Sequence, residues 1–266
     1  QKLSFNVLFL NRFLYYCQCH ILGMHPVAIG TGADLIRLDE ADMVIVGGYD
    51  TMAKMTVAGF NILRNVSPER CRPFDKKRQG LVLGEGAGVL ILERGDRARQ
   101  RDARPLARFL GYGMSSDAYH MTAPDVTGRG PARAMEAALH DADIDAGQID
   151  YVNAHGTGTI HNDAAETKAI RRVFGAHADD LMVSSTKSIH GHTLGAAGAI
   201  EAIAVLAGIH GGFVPPTANY REPDPKCDLD YVPNIARNLQ IRVALSNNFG
   251  FGGNNCSILL GNVDND

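Results

Sequence analysis

What most constrains this chain is a grammar that recurs along it: an apolar run that reads as a strand breaks into a loop of small and polar residues, and another regular element follows. Leu181-Met182-Val183 runs into Ser-Ser-Thr-Lys-Ser-Ile-His-Gly-His-Thr-Leu-Gly-Ala-Ala-Gly, residues 184–198, and then into a small-residue helix from Gly198 to His210. Asp150 to Ala154 leads to His155-Gly156-Thr157-Gly158-Thr159 and a helix carrying Glu166, Ile170 and Phe174 at spacings of three to four, with Asn162 or Asp163 as its cap. Val243 to Ser246 leads to a glycine-rich loop, Asn247 to Asn255, and a terminal strand, Cys256 to Leu260. Loops at the carboxyl ends of strands are where ligands sit in a layered α/β protein, so these loops are expected to build one site.

The upstream half follows the same grammar. A helix is expected from Val27 to about Leu38, then a buried strand, Ala41 to Gly48, apolar on both faces as a covered sheet requires. Val89 to Glu93 and Leu106 to Gly113 read as further strands, the charged stretch from Glu93 to Arg104 as a solvated helix or loop, and Pro131 to Leu139 as a helix opened by its proline. The run Gly84-Glu85-Gly86-Ala87-Gly88 has Val89 where a dinucleotide fingerprint needs its third glycine, and it precedes a strand, so close backbone packing is the better reading.

With 266 residues, 45% of them hydrophobic, the chain can bury a sizeable core in one or two domains. A net charge of -3, no basic block and no tryptophan exclude a nucleic-acid footprint, and no nucleic-acid partner is expected. The apolar opening, Gln1 to His20, is broken by Asn11 and Arg12 and has no signal-peptide cleavage pattern, so no membrane span is expected. That segment, residues 1–26, reads as the cut or altered start of a longer protein. The cysteines, at 17, 19, 71, 227 and 256, form neither a zinc spacing nor a disulfide framework, which favours a reducing, cytoplasmic setting.

His155, Lys187 and His192 are the chemistry-bearing residues of these loops. A lone histidine in such a loop is commonly structural, and His190-Gly191-His192 has the look of half a metal site, but only Asp163 and Glu166, inside a helix, stand near as carboxylate ligands; no metal is expected. The functional reading is two imidazoles donating to one oxygen that gains negative charge, with a lysine supplying positive potential in a water-poor pocket. The neighbouring glycines, Gly156, Gly158, Gly191 and Gly250 among them, let a thin ligand pass close to the backbone.

In this order, His155-Gly156-Thr157-Gly158-Thr159, Lys187 with Gly191-His192, and Phe249-Gly250-Phe251-Gly252-Gly253 resemble the signature of β-ketoacyl-acyl carrier protein synthases, the elongating synthase II type most of all. Arg72-Pro73-Phe74-Asp75, Gly84 to Gly88 and Ser115 to Thr122 extend the resemblance over about Ile29 to Leu260. It implies a thiolase-like layered α-β-α-β-α architecture with an incomplete first half, residues 27–105, and a second half, 106–266. It implies decarboxylative Claisen condensation of an acyl thioester with malonyl-acyl carrier protein in fatty acid chain elongation, with no cofactor beyond the phosphopantetheine of the carrier, acyl carrier protein as partner and a homodimer if complete. By the same resemblance His155 and His192 hold the thioester oxygen, Lys187 polarises them with Glu201 set against it, Thr157 and Thr159 bind the phosphopantetheine arm, Thr122 borders the tunnel, and Phe251 gates it. From the residues alone the threonines are equally turn formers and Phe251 a packing residue.

The departure from the pattern lies at the nucleophile. The family's cysteine opens the helix before the Ala41 to Gly48 strand, five residues before a histidine; counting back from His25 reaches His20, and Cys19 is one residue away among neighbours that are not small. Three readings follow: a synthase truncated or altered at its start, a cysteine-less partner subunit of chain-length-factor type, and a non-catalytic remnant. Retention of both histidines and Lys187 favours the first.

Overall fold

A computed structural model describes residues 15–18 and 25–263 of the chain. In order, the elements are β1 (Tyr15–Gln18), α1 (His25–Arg37), β2 (Met43–Asp50), α2 (Lys54–Ile62), β3 (Gly86–Glu93), α3 (Gly95–Gln100), β4 (Arg108–Ser116), α4 (Arg129–Ala142), β5 (Tyr151–Asn153), α5 (Ile160–Phe174), β6 (Met182–Ser184), α6 (Lys187–His190), α7 (Ala197–Gly211), β7 (Phe213–Val214), β8 (Arg237–Asn238), β9 (Val243–Gly250) and β10 (Asn254–Gly261). Cys19 and most of residues 1–26 lie outside the described residues.

The strands form a three-stranded sheet, β1-β2-β3, a five-stranded sheet, β4-β10-β9-β5-β6, and a short pair, β7-β8. β1 runs parallel to β2, and β3 antiparallel to it with Ile45 opposite Ile91 and Gly47 opposite Val89. In the larger sheet β5 is parallel to β6 and β9, while β10 is antiparallel to both β9 and β4.

Helices α1 and α7 fill the space between the two large sheets. Their shared core joins Ile29 of α1 and Ala202 and Val205 of α7 to Val44 and Val46 of β2 and to Ala244 and Ile258 of β9 and β10. Both helices carry small residues because a sheet presses on each side. A Cβ at Gly30 would meet the Tyr112 ring at 2.4 Å, one at Gly32 would meet Val46 at 2.5 Å, and Gly88 of β3 sits against Ala199, whose Cβ would be 2.9 Å away. A helix apolar all round belongs in an interior. Thus the stretch Leu194–Gly211, long and apolar enough to cross a membrane by composition, is 61% buried here as the middle helical layer.

On the other face of the five-stranded sheet, Met135 and Ala138 of α4 and Ala169 and Ile170 of α5 cover Val152, Leu245 and Leu259. With helices on both sides, β9 and β10 bury nearly every residue. The smaller sheet differs. Val44 and Val46 face α1 and are fully buried, but on its outer face Val89 and Ile91 are 63% and 62% exposed, and among the described residues no helix covers them. On β2, the strand expected to be covered on both faces, Met43 and Ile45 are half-buried on that side, and among the described residues the layers are helix, sheet, helix, sheet.

Most expected elements are present with shifted ends. Two differ for a physical reason. Asn247 to Gly250, expected in a loop, extend β9, because the amides of Asn247 and Asn248 find carboxylates in the interior. The turn itself is only Phe251–Gly253. Asn162 and Asp163 do not cap α5; Thr159 is its N-cap residue, and Asp163 instead accepts hydrogen bonds from the backbone N–H of Phe74 at 2.7 Å and of Gly158 at 3.2 Å.

At Gly113 of β4, α4 presses so closely that a Cβ would lie 2.3 Å from both Ala134 O and Ala138 N. Backbone cannot move aside as a side chain does, so Gly113→Ala is expected to destabilise the fold by about 1–3 kcal/mol, read as a lower urea midpoint with unchanged slope.

Candidate functional site

The two histidines arrive on loops held rigidly from several directions. His155 follows β5, where Ala154 N–H donates to Ser184 O at 2.8 Å and Ser185 Oγ donates to Gly156 O at 2.7 Å, tying the two loops together. Gly156 (φ +36°) and Gly158 (φ +76°) let this loop turn where an added Cβ would meet Ser185 or Gly80. His192 follows the single turn of α6, and its backbone is bridged on both sides: its N–H donates to Val82 O at 2.7 Å and its carbonyl accepts from Gly84 N–H at 3.0 Å. The glycine run at 84–88 therefore works by close packing, as expected, since a Cβ at Gly84 would stand 2.5 Å from His190 O.

Their imidazole rings meet edge-on, with centroids 5.3 Å apart and planes at 84°. Both line one cavity of about 350 Å³. His192 Nδ1 accepts a hydrogen bond from Leu194 N–H at 3.2 Å, so in its neutral form the ring carries its proton on Nε2. His155 Nδ1 is buried and makes no hydrogen bond among the described residues. Burial first, and then the nearby Lys187 ammonium, hold both imidazoles well below their ordinary pKa. At neutral pH they are uncharged donors.

Lys187 does not line the cavity. Its ammonium has no solvent exposure and is paired with the equally buried Glu201 of α7, whose other carboxylate oxygen accepts from Asn248 Nδ2 at 2.9 Å. Burial raises the Glu201 carboxyl above its usual range while the lysine pulls it back. The pair acts on the histidines through space and by fixing α6 against α7. Thr122, Thr157, Thr159 and Phe251 all line the cavity with the histidines, and the Thr157 and Thr159 hydroxyls share a hydrogen bond of 2.9 Å. Phe251 stacks on Phe60 of α2, centroids 5.4 Å apart.

Three participants were not singled out from the residues alone. Glu166 accepts the backbone N–H of His155 and of Gly156, each at 2.8 Å, and the side-chain amide of Asn247 at 3.1 Å; burial nevertheless pushes its carboxyl up to about 7. Phe249 packs its ring 5.4 Å from that of His155, and Asn248 steadies Glu201. Only the position of Glu166 inside the helix after the histidine loop could have flagged it. Cys71, Cys227 and Cys256 are free and do not line the cavity, and burial pushes each thiol up to about 12.

Two outcomes follow. Lys187→Met strands the Glu201 charge in the interior and is expected to destabilise by about 3–5 kcal/mol, with much of the loss recovered in Lys187→Met/Glu201→Leu, both measured by urea unfolding. Depressed histidines make stability fall as pH drops below about 6.5, since only the unfolded chain then takes up protons; Glu166, raised from 4.5 to about 7, contributes stability below pH 4.5 that is lost as pH rises through 7. Glu166→Gln removes the opposing slope, so its unfolding free energy is expected to climb more steeply than the parent's between pH 4.5 and 7.

Most of the chain is matched by known proteins. The description "Beta-ketoacyl synthase, N-terminal domain" matches residues 26–98, and "Beta-ketoacyl synthase, C-terminal domain" matches residues 106–221. Among curated proteins, Nodulation protein E of Rhizobium meliloti is 49% identical over 237 residues, 89% of this chain and 59% of that protein. The 3-oxoacyl-[acyl-carrier-protein] synthase 2 of Coxiella burnetii is 45% identical over 248 residues, 91% of this chain and 59% of its own length. Among solved structures, the ishigamide ketosynthase/chain length factor superposes with a TM-score of 0.87 at 42% identity, covering 91% of this chain and 59% of that one. A type II PKS acyl-carrier protein in complex with its ketosynthase bound to the hexaketide gives 0.87 at 37% identity, covering 89% and 60%. The chain thus spans a little under 60% of the length of the relatives it matches. With both halves of its described fold matched in order, the chain belongs to the β-ketoacyl synthase family and has its thiolase-like α/β fold.

Proposed function

We propose that this chain carries the malonyl-decarboxylating centre of a 3-oxoacyl-acyl carrier protein synthase that elongates fatty acyl chains. The observation behind this reading is the pair of neutral imidazoles, His155 and His192, edge to edge in one cavity beside a buried lysine. A malonyl thioester whose carbonyl oxygen lies between the rings loses carbon dioxide as the electrons of the breaking carbon–carbon bond pass to the α-carbon and that oxygen. His192 Nε2–H is a preorganised donor to the enolate so formed, and His155 is placed to be the second. A neutral donor suits this step, because it stabilises a developing anion without forming an ion pair with the substrate carboxylate beforehand. The enolate carbon then attacks an acyl thioester, forming the new carbon–carbon bond and expelling the thiolate. Thr157, Thr159 and Thr122 hold the phosphopantetheine chain, and Phe251 closes the cavity over it. Acyl carrier protein as substrate carrier is supported by the synthase 2 relative and by the carrier-protein complex among the similar structures; the homodimer, the absence of a further cofactor and a cytoplasmic setting belong to the same proposal.

A second reading has its own observation. None of Cys71, Cys227 and Cys256 lines the cavity, and Cys19 lies outside the described residues, so a subunit that decarboxylates without forming an acyl-enzyme is the alternative. Incubation with malonyl-acyl carrier protein, with and without an acyl primer, separates them: 3-oxoacyl product supports the first, carbon dioxide alone the second. In either case His155→Ala or His192→Ala is expected to lower carbon dioxide release by about 10²–10³-fold, with melting little changed, as for loss of one oxyanion donor. Unaltered release by either variant would end both readings.

A further inference from the structure

Behind the threonine loop stands a group of residues of which only Gly80 lines the cavity. Four consecutive carbonyl oxygens of the loop are each met by a donor from the segment 71–80. The Cys71 thiol donates to Thr157 O at 3.4 Å, Gly80 N–H to Gly158 O at 3.0 Å, Arg78 Nε to Thr159 O at 3.2 Å, and Arg78 Nη2 to Ile160 O at 3.0 Å. Arg78 is the centre of this grip. Its side chain is only 2% exposed, its Nη1 donates to Asp75 O at 2.9 Å and to the Asp224 carboxylate, and its Nε lies 3.7 Å from Asp163.

Glu166 and Asp163 of α5 hold the amides of this loop, but its carbonyls from Thr157 onward are held by the segment 71–80. Thr159 occupies the N-cap of α5, where a threonine hydroxyl ordinarily accepts a backbone N–H of the first turn. Here it makes no such bond and shares its hydroxyl with Thr157 instead, both facing the cavity. A planar guanidinium takes two adjacent carbonyls at once, which an ammonium on a flexible stem does not.

We propose that Arg78 is a positioning residue: by gripping the Thr159 and Ile160 carbonyls from behind, it fixes the Thr157–Thr159 hydroxyl pair for the pantetheine chain of the substrate, and so governs substrate binding and not the decarboxylation step. This rests on the function proposed above. Arg78→Lys and Arg78→Gln are compared with the parent in two measurements. In hydrogen exchange without substrate, amides 157–163 are expected to exchange about tenfold faster in both variants, while those of β9 and β10 keep parental rates. With malonyl-pantetheine, KM is expected to rise about tenfold with kcat within about threefold, Arg78→Lys being the milder. Should both variants fail to fold, Asp224→Asn, which leaves the guanidinium but frees its tether, is expected to shift exchange and KM the same way by less. Unchanged exchange in the loop, or a loosened loop with KM unmoved, overturns the proposal, as does a fall in kcat alone. Absence of turnover in the parent overturns the function proposed above and Arg78's role with it, and is distinguishable because the exchange comparison needs no substrate.

Discussion

An ammonium with no access to water has to be answered by a carboxylate, and the meeting of Lys187 with Glu201 at zero exposure is the constraint to which the site is fitted. The lysine opens α6 and the glutamate lies a turn into α7, so the pair fixes how the chain folds between them, and that intervening stretch carries His192. Asn248 completes the carboxylate from β9, which binds the same arrangement to the five-stranded sheet. The charge does a second task. Together with burial it disfavours protonation of both imidazoles, so the element that organises the loops also sets the chemical form of the residues they present.

A second carboxylate does comparable work on the opposite side. Glu166 gathers two successive backbone N–H groups of the histidine loop and the amide of Asn247, and Asp163, one helical turn earlier, gathers Gly158 and Phe74. The first turns of α5 are thus turned inward as acceptors for their own preceding loop. This explains why a helix with no side-chain cap begins where it does, and why its acids are buried when helix acids are commonly solvated.

Much of this was legible in the residues, for identifiable reasons. The strand, loop and helix order is carried by local pattern: Val243 to Ser246 and the small-residue run after Gly198 each fall inside an observed element, and Asp150 to Ala154 brackets the shorter strand Tyr151–Asn153. Close packing at Gly84 was legible because glycine spacing excludes a phosphate loop, and the convergence of His155, His192, Thr122, Thr157, Thr159 and Phe251 on one cavity follows the motif order. What could not be read depends on partners far away in sequence. Asn247 and Asn248 look like loop residues until Glu166 and Glu201 are seen to accept their amides, and Asp163 looks like a cap until Phe74 appears beside it. Val89 to Glu93 reads simply as a strand; that Val89 and Ile91 stand exposed is a fact about neighbours, not about the strand.

The thin waist of the middle layer has a consequence for how such a protein can diversify. With Gly30, Gly32, Ala199 and Ala202 allowing two sheets to close on single helices, the spacing of those sheets is set near its minimum, about 10 Å for a helix against each face. Any bulkier side chain there would act as a wedge between the sheets, the larger of which carries the histidine loops. Accommodating a longer or wider ligand therefore has to be done at the rim, where α2 brings Phe60 against the Phe251 turn, so that the interior stays invariant while the periphery adapts.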